Sequence, residues 1–130
     1  MMNDITIKKK ELLETIETKS VSEIIKPLVS EIHLFDTFIA GTTYLDDKAP
    51  LGELNEGDKL SLMREINKYD EKAIMVMDQA GRKLGYIPEK DNVIFSRLMD
   101  AGKLLMCKVT DIEDFGSFKK ISIGIYLVDY

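Results

Sequence analysis

His33 and Cys107 are the only histidine and the only cysteine of the chain, so the two side chains best suited to general-base and nucleophilic chemistry each stand alone. His33 lies between Ile32 and Leu34 in an alternating run, where an imidazole usually serves structure; general-base work is the open alternative. Cys107, between Met106 and Lys108 in a run of strand type, is expected to be a buried, inert thiol. A single cysteine forms no internal disulfide and supplies no cysteine-based zinc set, which fits a reducing cytoplasm. Asp46-Asp47 and the acids from Asp111 to Asp114 could meet a cation, but paired loop acids are ordinarily solvated and no histidine pair joins them. No glycine-rich phosphate loop with its lysine and no Gly-x-Ser-x-Gly elbow occurs. The expectation is a binding protein rather than an enzyme, with no catalytic residues, no cofactor and no metal.

The elements that would carry a binding surface change character near residue 30. From Ile7 to Ile25 the apolar positions Leu12, Leu13, Ile16, Val21, Ile24 and Ile25 recur every three to four residues, which predicts two helices broken near Lys19-Ser20 and ended at Pro27. Lys8, Lys9 and Lys10 open this segment as a solvated helix start or, alternatively, as a phosphate-contacting patch. From Ile32 the period becomes two, with Ile32, Leu34, Asp36, Phe38 and Ala40 on one strand face and Gly41 ending the run. A turn-rich stretch with Pro50, Gly52 and Gly57 leads to strands over 59–65, 73–77 and 84–87, the last two joined by a hairpin at Gln79–Arg82. A helix over 89–101, packed through Val93, Ile94, Leu98 and Ala101, should stop at Gly102. Two final strands, 104–112 and 118–128, complete a small closed or partly open barrel with one inserted helix. The chain therefore divides into an N-terminal helical extension, 1–30, and a mainly β (α+β) domain, 31–130.

At 130 residues the chain has room for little more than one such domain, with 45% hydrophobic and 32% charged residues placing it among folded globular proteins. No apolar run reaches the roughly 20 residues of a membrane span, and the N-terminus lacks the apolar block of a signal peptide. Residues 1–30 hold five acids and five bases, so the whole net charge of −5 falls on residues 31–130. That balance excludes a protein that coats nucleic acid indiscriminately; any nucleic-acid contact must be local.

One ordered set of residues goes further. Gly41-Thr42-Thr43-Tyr44, then LSLMREINKYD over 60–70, then Ala73-Ile74 and Val76, then Gly81 and Leu84–Pro88, follow one another through the β-rich part. This order resembles the HIRAN domain, whose usual pattern runs Gly-x-x-Tyr, Leu-x-Leu-x-Arg-(Asp/Glu)-Pro-x-Asn-x-Tyr-Asp, Ala-Ile-x-Val and Gly-x-x-Leu-Gly-Tyr-Ile-Pro. The resemblance covers about Ile32 to Val128 and implies an OB-like β-barrel of about six strands. It also implies binding of single-stranded DNA, in the best understood members by gripping a free 3′ end. HIRAN domains occur fused to fork-remodelling DNA translocases and as stand-alone bacterial proteins, and this chain resembles the second kind. A part in DNA repair or stalled-fork processing follows from the same resemblance.

Carried over by residue, the resemblance makes Tyr44 and Tyr69 base-stacking platforms and Asp70 the acceptor of the terminal 3′-hydroxyl. A carboxylate accepts from a hydroxyl and repels a 3′-phosphate, so the sign of its charge selects a free end. Asn67 would hold the same loop or touch the terminal nucleotide, and Phe118 would pack on a flanking base or in the core. Arg64 would brace the loop or meet a phosphate. Spacing alone leaves Tyr69-Asp70 an ordinary turn, with Tyr69 on the barrel rim and Asp70 capping backbone amides. Thr43 stands where the family often has a basic residue, and Ile66 and Lys68 stand where prolines are common in a loop one residue longer. Glu89 takes a position that is basic in some members, with Lys90 as a neighbouring substitute. Fewer cations imply weaker binding with a shallow salt dependence. A partner protein or a second copy, reached through the N-terminal helices, is the alternative to DNA; a membrane is not expected.

Overall fold

The computed structural model describes residues 30–129, so the expected N-terminal helices and Lys8–Lys10 lie outside the described residues. The alternating runs become strands β1 (Ser30–Phe38), β2 (Lys59–Arg64), β3 (Ile74–Met77), β4 (Lys83–Tyr86), β5 (Leu105–Asp114) and β6 (Lys119–Asp129). Between β1 and β2 lie a 3₁₀ turn over Thr42–Tyr44 and a single helical turn, α1 (Ala49–Gly52); between β4 and β5 lies α2 (Glu89–Asp100). All six strands belong to one sheet in the order β1-β6-β5-β2-β3-β4, and the β2–β3, β2–β5, β3–β4 and β5–β6 pairings are antiparallel.

The core follows from the period of two. Ile121, Ile123 and Ile125 of β6 are fully buried; across the ladder Val109 faces Ile123 and Cys107 faces Ile125. Leu60 continues the layer opposite Cys107, and Ile74, Val76 and Leu84 complete it. Each such side chain contributes about 1.5–3 kcal/mol by leaving water. Burial pushes the Cys107 thiol up to about 12, so it is packing and not a nucleophile. His33 is exposed, 2.7 Å from Asp36 through Nε2, with its ring edge-on to Tyr126.

Four expectations need correction. The sheet does not close into a barrel: its edges are β1 and β4, and in place of a ladder they share one bridge, Ala40 to Tyr86. Gly41, at φ 74°, turns the first chain away, and Pro88 has no amide hydrogen with which to extend the second. The Ile32/Leu34 face of β1 is not a core face; both are exposed on this edge strand, and Ile39 is the residue that enters the core. In α2 the inward side is Asn92, Phe95 and Ser96, with Val93 and Ile94 exposed, because Thr37 and Phe35 of β1 meet the helix through Asp91 and Phe95. The turn-rich stretch hides α1, whose Pro50 and Leu51 are buried. Gly102 ends α2 as expected, donating to the Met99 carbonyl at φ 91°. No helix among the described residues is long and apolar enough to cross a membrane.

Candidate functional site

The loop between β2 and β3 is assembled from its own polar residues. Its neck is closed by the Glu65 amide donating to the Ala73 carbonyl at 2.9 Å. Arg64 reinforces the neck from the side: its guanidinium donates to the carbonyls of Ala73 (2.6 Å) and Glu71 (2.9 Å) and to the Asp100 carboxylate (2.9 and 3.4 Å). Of the two readings left open for Arg64, this geometry is the loop brace, since four of its five N–H groups are already engaged within the chain.

Asn67 organises the tip. Its Oδ1 accepts from the backbone amides of Tyr69 (2.9 Å) and Asp70 (2.8 Å), while its Nδ2 donates to Glu65 Oε2 at 3.0 Å. This Asx turn orders the tip by side-chain-to-backbone bonding, with Ile66 and Lys68 at the positions where prolines are common. Glu65 Oε2 also accepts from the Tyr86 hydroxyl at 2.6 Å, which in turn accepts from Lys83 Nζ at 2.7 Å. The hydrogen bonds from Tyr86 and then Asn67 hold the Glu65 carboxyl below its ordinary value despite burial.

Asp70 is half-buried and held at both oxygens. Oδ1 accepts from the Lys72 amide at 2.9 Å, and Oδ2 accepts from Asn92 Nδ2 of α2 at 2.8 Å. Each oxygen keeps a further lone pair. Beside it, Tyr69 is 82% exposed, an aromatic face in water with Lys68 Nζ 5.0 Å from its centroid. An aromatic face open to solvent in this way is able to stack on a base.

Asn67, Tyr69 and Asp70 line one cleft of about 300 Å³, together with Gly41, Tyr86 and Glu89. Its wall is the Ala40–Tyr86 bridge, and that bridge needs glycine at position 85: a Cβ there would lie 2.4 Å from the Ala40 carbonyl oxygen. A second cleft of about 240 Å³ lies on the far side of the 3₁₀ turn, lined by Thr43, Lys48, Asp114, Phe118 and Lys119 among others. Tyr44 lines neither; it is 89% exposed on the turn that separates them, with Gly41 in one wall and Thr42-Thr43 in the other. Lys90 is not in either lining, and its Nζ lies 5.6 Å from the Phe38 ring.

The nine candidate residues therefore divide. Asn67, Tyr69 and Asp70 converge, Thr43 and Phe118 form a neighbouring cleft, Tyr44 stands between, Lys68 accompanies Tyr69, and Arg64 and Lys90 are turned to other contacts. Phe118 is exposed rather than core, and it stacks at 5.0 Å on Phe115, an exposed aromatic that sequence reasoning passed over. Glu65, Tyr86 and Asn92 were also missed. The first two stand in the matched motifs and could have been singled out there; Asn92 carried no local signal.

A family model described as the HIRAN domain matches residues 32–127. Among solved structures, a protein from Lactobacillus plantarum is similar with a TM-score of 0.73 at 30% identity, covering 78% of this chain and 99% of its own. The HIRAN domain of human HLTF is similar in fold, with a TM-score of 0.62 at 17% identity over 77% of this chain and 78% of its own. No curated protein matches the chain.

Proposed function

The chain belongs to the HIRAN domain family, whose members in general bind nucleic acid, and from that premise we propose that it is a single-stranded DNA-binding module that holds a free 3′-hydroxyl end. The observation that carries the reading is the pairing, in one cleft, of an exposed tyrosine with a carboxylate clamped at both oxygens. Tyr69 offers a stacking face worth about 1–3 kcal/mol per base without reading its identity. Asp70 offers fixed acceptors to a terminal hydroxyl.

Charge supports an end reading over a phosphate reading. The cleft lining holds Asp70 and Glu89 and neither lysine nor arginine, so a terminal phosphate placed against Asp70 would meet like charge, with Lys68 standing on the outer side of Tyr69. Tyr44 and the second cleft, with Lys48, Lys119 and the Phe115–Phe118 pair, supply aromatic and cationic partners for the nucleotides that follow. The protein contributes recognition and no chemistry of its own; free 3′ ends are what DNA repair and stalled-fork processing expose.

Fluorescence polarisation with matched oligonucleotides ending in 3′-hydroxyl or 3′-phosphate tests the proposal. Tighter binding of the hydroxyl end is expected. Equal affinities would remove Asp70 from this role. No binding even at low salt would favour a protein-interaction module on the same fold, the reading to which the net charge of −5 lends weight. Magnesium-dependent cleavage of the oligonucleotide would overturn the assignment as a binding module.

A further inference from the structure

Two polar side chains of α2 are almost fully buried, Asn92 at 2% and Ser96 at 1% exposure. Ser96 stays within its helix, donating its hydroxyl to the Val93 carbonyl at 2.9 Å. Asn92 instead reaches 22 residues back along the chain to Asp70 Oδ2. A buried amide without a partner would be costly, so this contact ties the first turn of α2 to the tip of the β2–β3 loop, as Arg64 and Asp100 tie the helix end to the loop neck.

The contact constrains a rotor. An aspartate carboxylate turns about a broad torsion, and one hydrogen bond leaves it swinging. Here the Lys72 amide holds Oδ1 from the loop and Asn92 holds Oδ2 from the helix, so the carboxylate plane is fixed before anything binds. We infer that Asn92 is a positioning residue for end recognition: by fixing the Asp70 carboxylate, it sets the preference for a 3′-hydroxyl over a 3′-phosphate. The inference rests on the 3′-end reading proposed above. Its physical content is preorganisation, since a carboxylate ordered in advance loses no torsional freedom when the hydroxyl arrives.

The test uses the full chain with Asn92→Leu, which keeps the volume and removes the donor, and Asn92→Ala, which removes the donor without adding a charge or crowding the helix contact. Affinities are measured for the same oligonucleotide ending in 3′-hydroxyl and in 3′-phosphate. The variants should bind the hydroxyl end about tenfold more weakly, as expected for losing a hydrogen bond to a charged group. Affinity for the phosphate end, which rests on the tyrosines, should stay unchanged, so the selectivity ratio collapses. A merely structural role would weaken both ends alike and would overturn the inference, as would unchanged selectivity. If Asn92→Leu fails to fold, Asn92→Ala alone decides between these outcomes. A parent protein that binds both ends equally would overturn the 3′-end reading and this inference together, whereas a selective parent with equally selective variants overturns only the inference.

Discussion

Ala40 and Tyr86 exchange backbone hydrogen bonds, at 2.8 Å from the Ala40 amide and 2.9 Å from the Tyr86 amide, and so join the two edges of the sheet beside the candidate cleft. The same two residues line that cleft, so the seam of the fold and the wall of the site are one object.

Gly85→Ala should break this seam. The new Cβ would stand 2.4 Å from the Ala40 oxygen and 2.6 Å from Ile39 Cγ2, in a backbone at φ 149°. Overpacking of this kind costs about 1–3 kcal/mol, read by denaturant unfolding, and weaker single-strand binding should accompany it. Gly52→Ala, with nothing within 4 Å of its Cβ, is the neutral control.

Tyr44→Ala and Tyr69→Ala should separate binding from stability. Both rings are more than four-fifths exposed, so unfolding should move by no more than about 0.5 kcal/mol. Each loss should weaken retention on a single-strand column by the worth of one stacked base, about 1–3 kcal/mol. Undiminished retention in the double variant would exclude stacking as the source of affinity.

Arg64 and Lys68 should behave oppositely. Arg64→Ala removes the brace to Ala73, Glu71 and Asp100 and should destabilise the fold by about 1–3 kcal/mol, with the salt slope of binding unchanged. Lys68→Ala should leave unfolding alone and reduce the slope of log affinity against log salt by about 0.7, one phosphate's share on a single strand. A salt slope that follows Arg64 instead would return a phosphate to that residue.

Glu65 gives the fold an acid-sensitive element. Its folded-state value is lowered, first by the Tyr86 hydroxyl and then by Asn67, so the ionised carboxylate stabilises the protein fully above the unfolded value. That contribution fades as pH falls through the folded value. Glu65→Gln should flatten the acid limb of stability against pH, as followed by urea unfolding at a series of pH values; an unaltered acid limb would show that Glu65 is not responsible.

Elements with short-range causes were legible in the residues themselves. The alternation of Ile121, Ile123 and Ile125 marked β6 because every second strand residue meets the core. The hairpin at Gln79–Arg82 was readable from its glycine: the Asp78 amide donates to the Arg82 carbonyl and the Gly81 amide to the Asp78 carbonyl. The order of Asn67, Tyr69 and Asp70 pointed to one loop, and the Asx turn that joins them links residues only three positions apart.

What the residues misplaced or left open has long-range causes. Val93 and Ile94 look inward on apolarity alone, but the phase of α2 is set by contacts with β1, where Thr37 meets Asp91 across 54 residues. Arg64 has the composition of a phosphate ligand, and only the approach of Asp100 and the Ala73 carbonyl shows its donors in use. By itself, therefore, the sequence determined the strands, the turn chemistry and the loop that bears Tyr69 and Asp70, because periodicity and side-chain-to-backbone bonding act over a few residues. Tertiary structure alone decided that the sheet meets at a single bridge, that Tyr44 stands outside the cleft, and that Asn92 grips Asp70, because each depends on which distant segments come to lie within hydrogen-bonding distance.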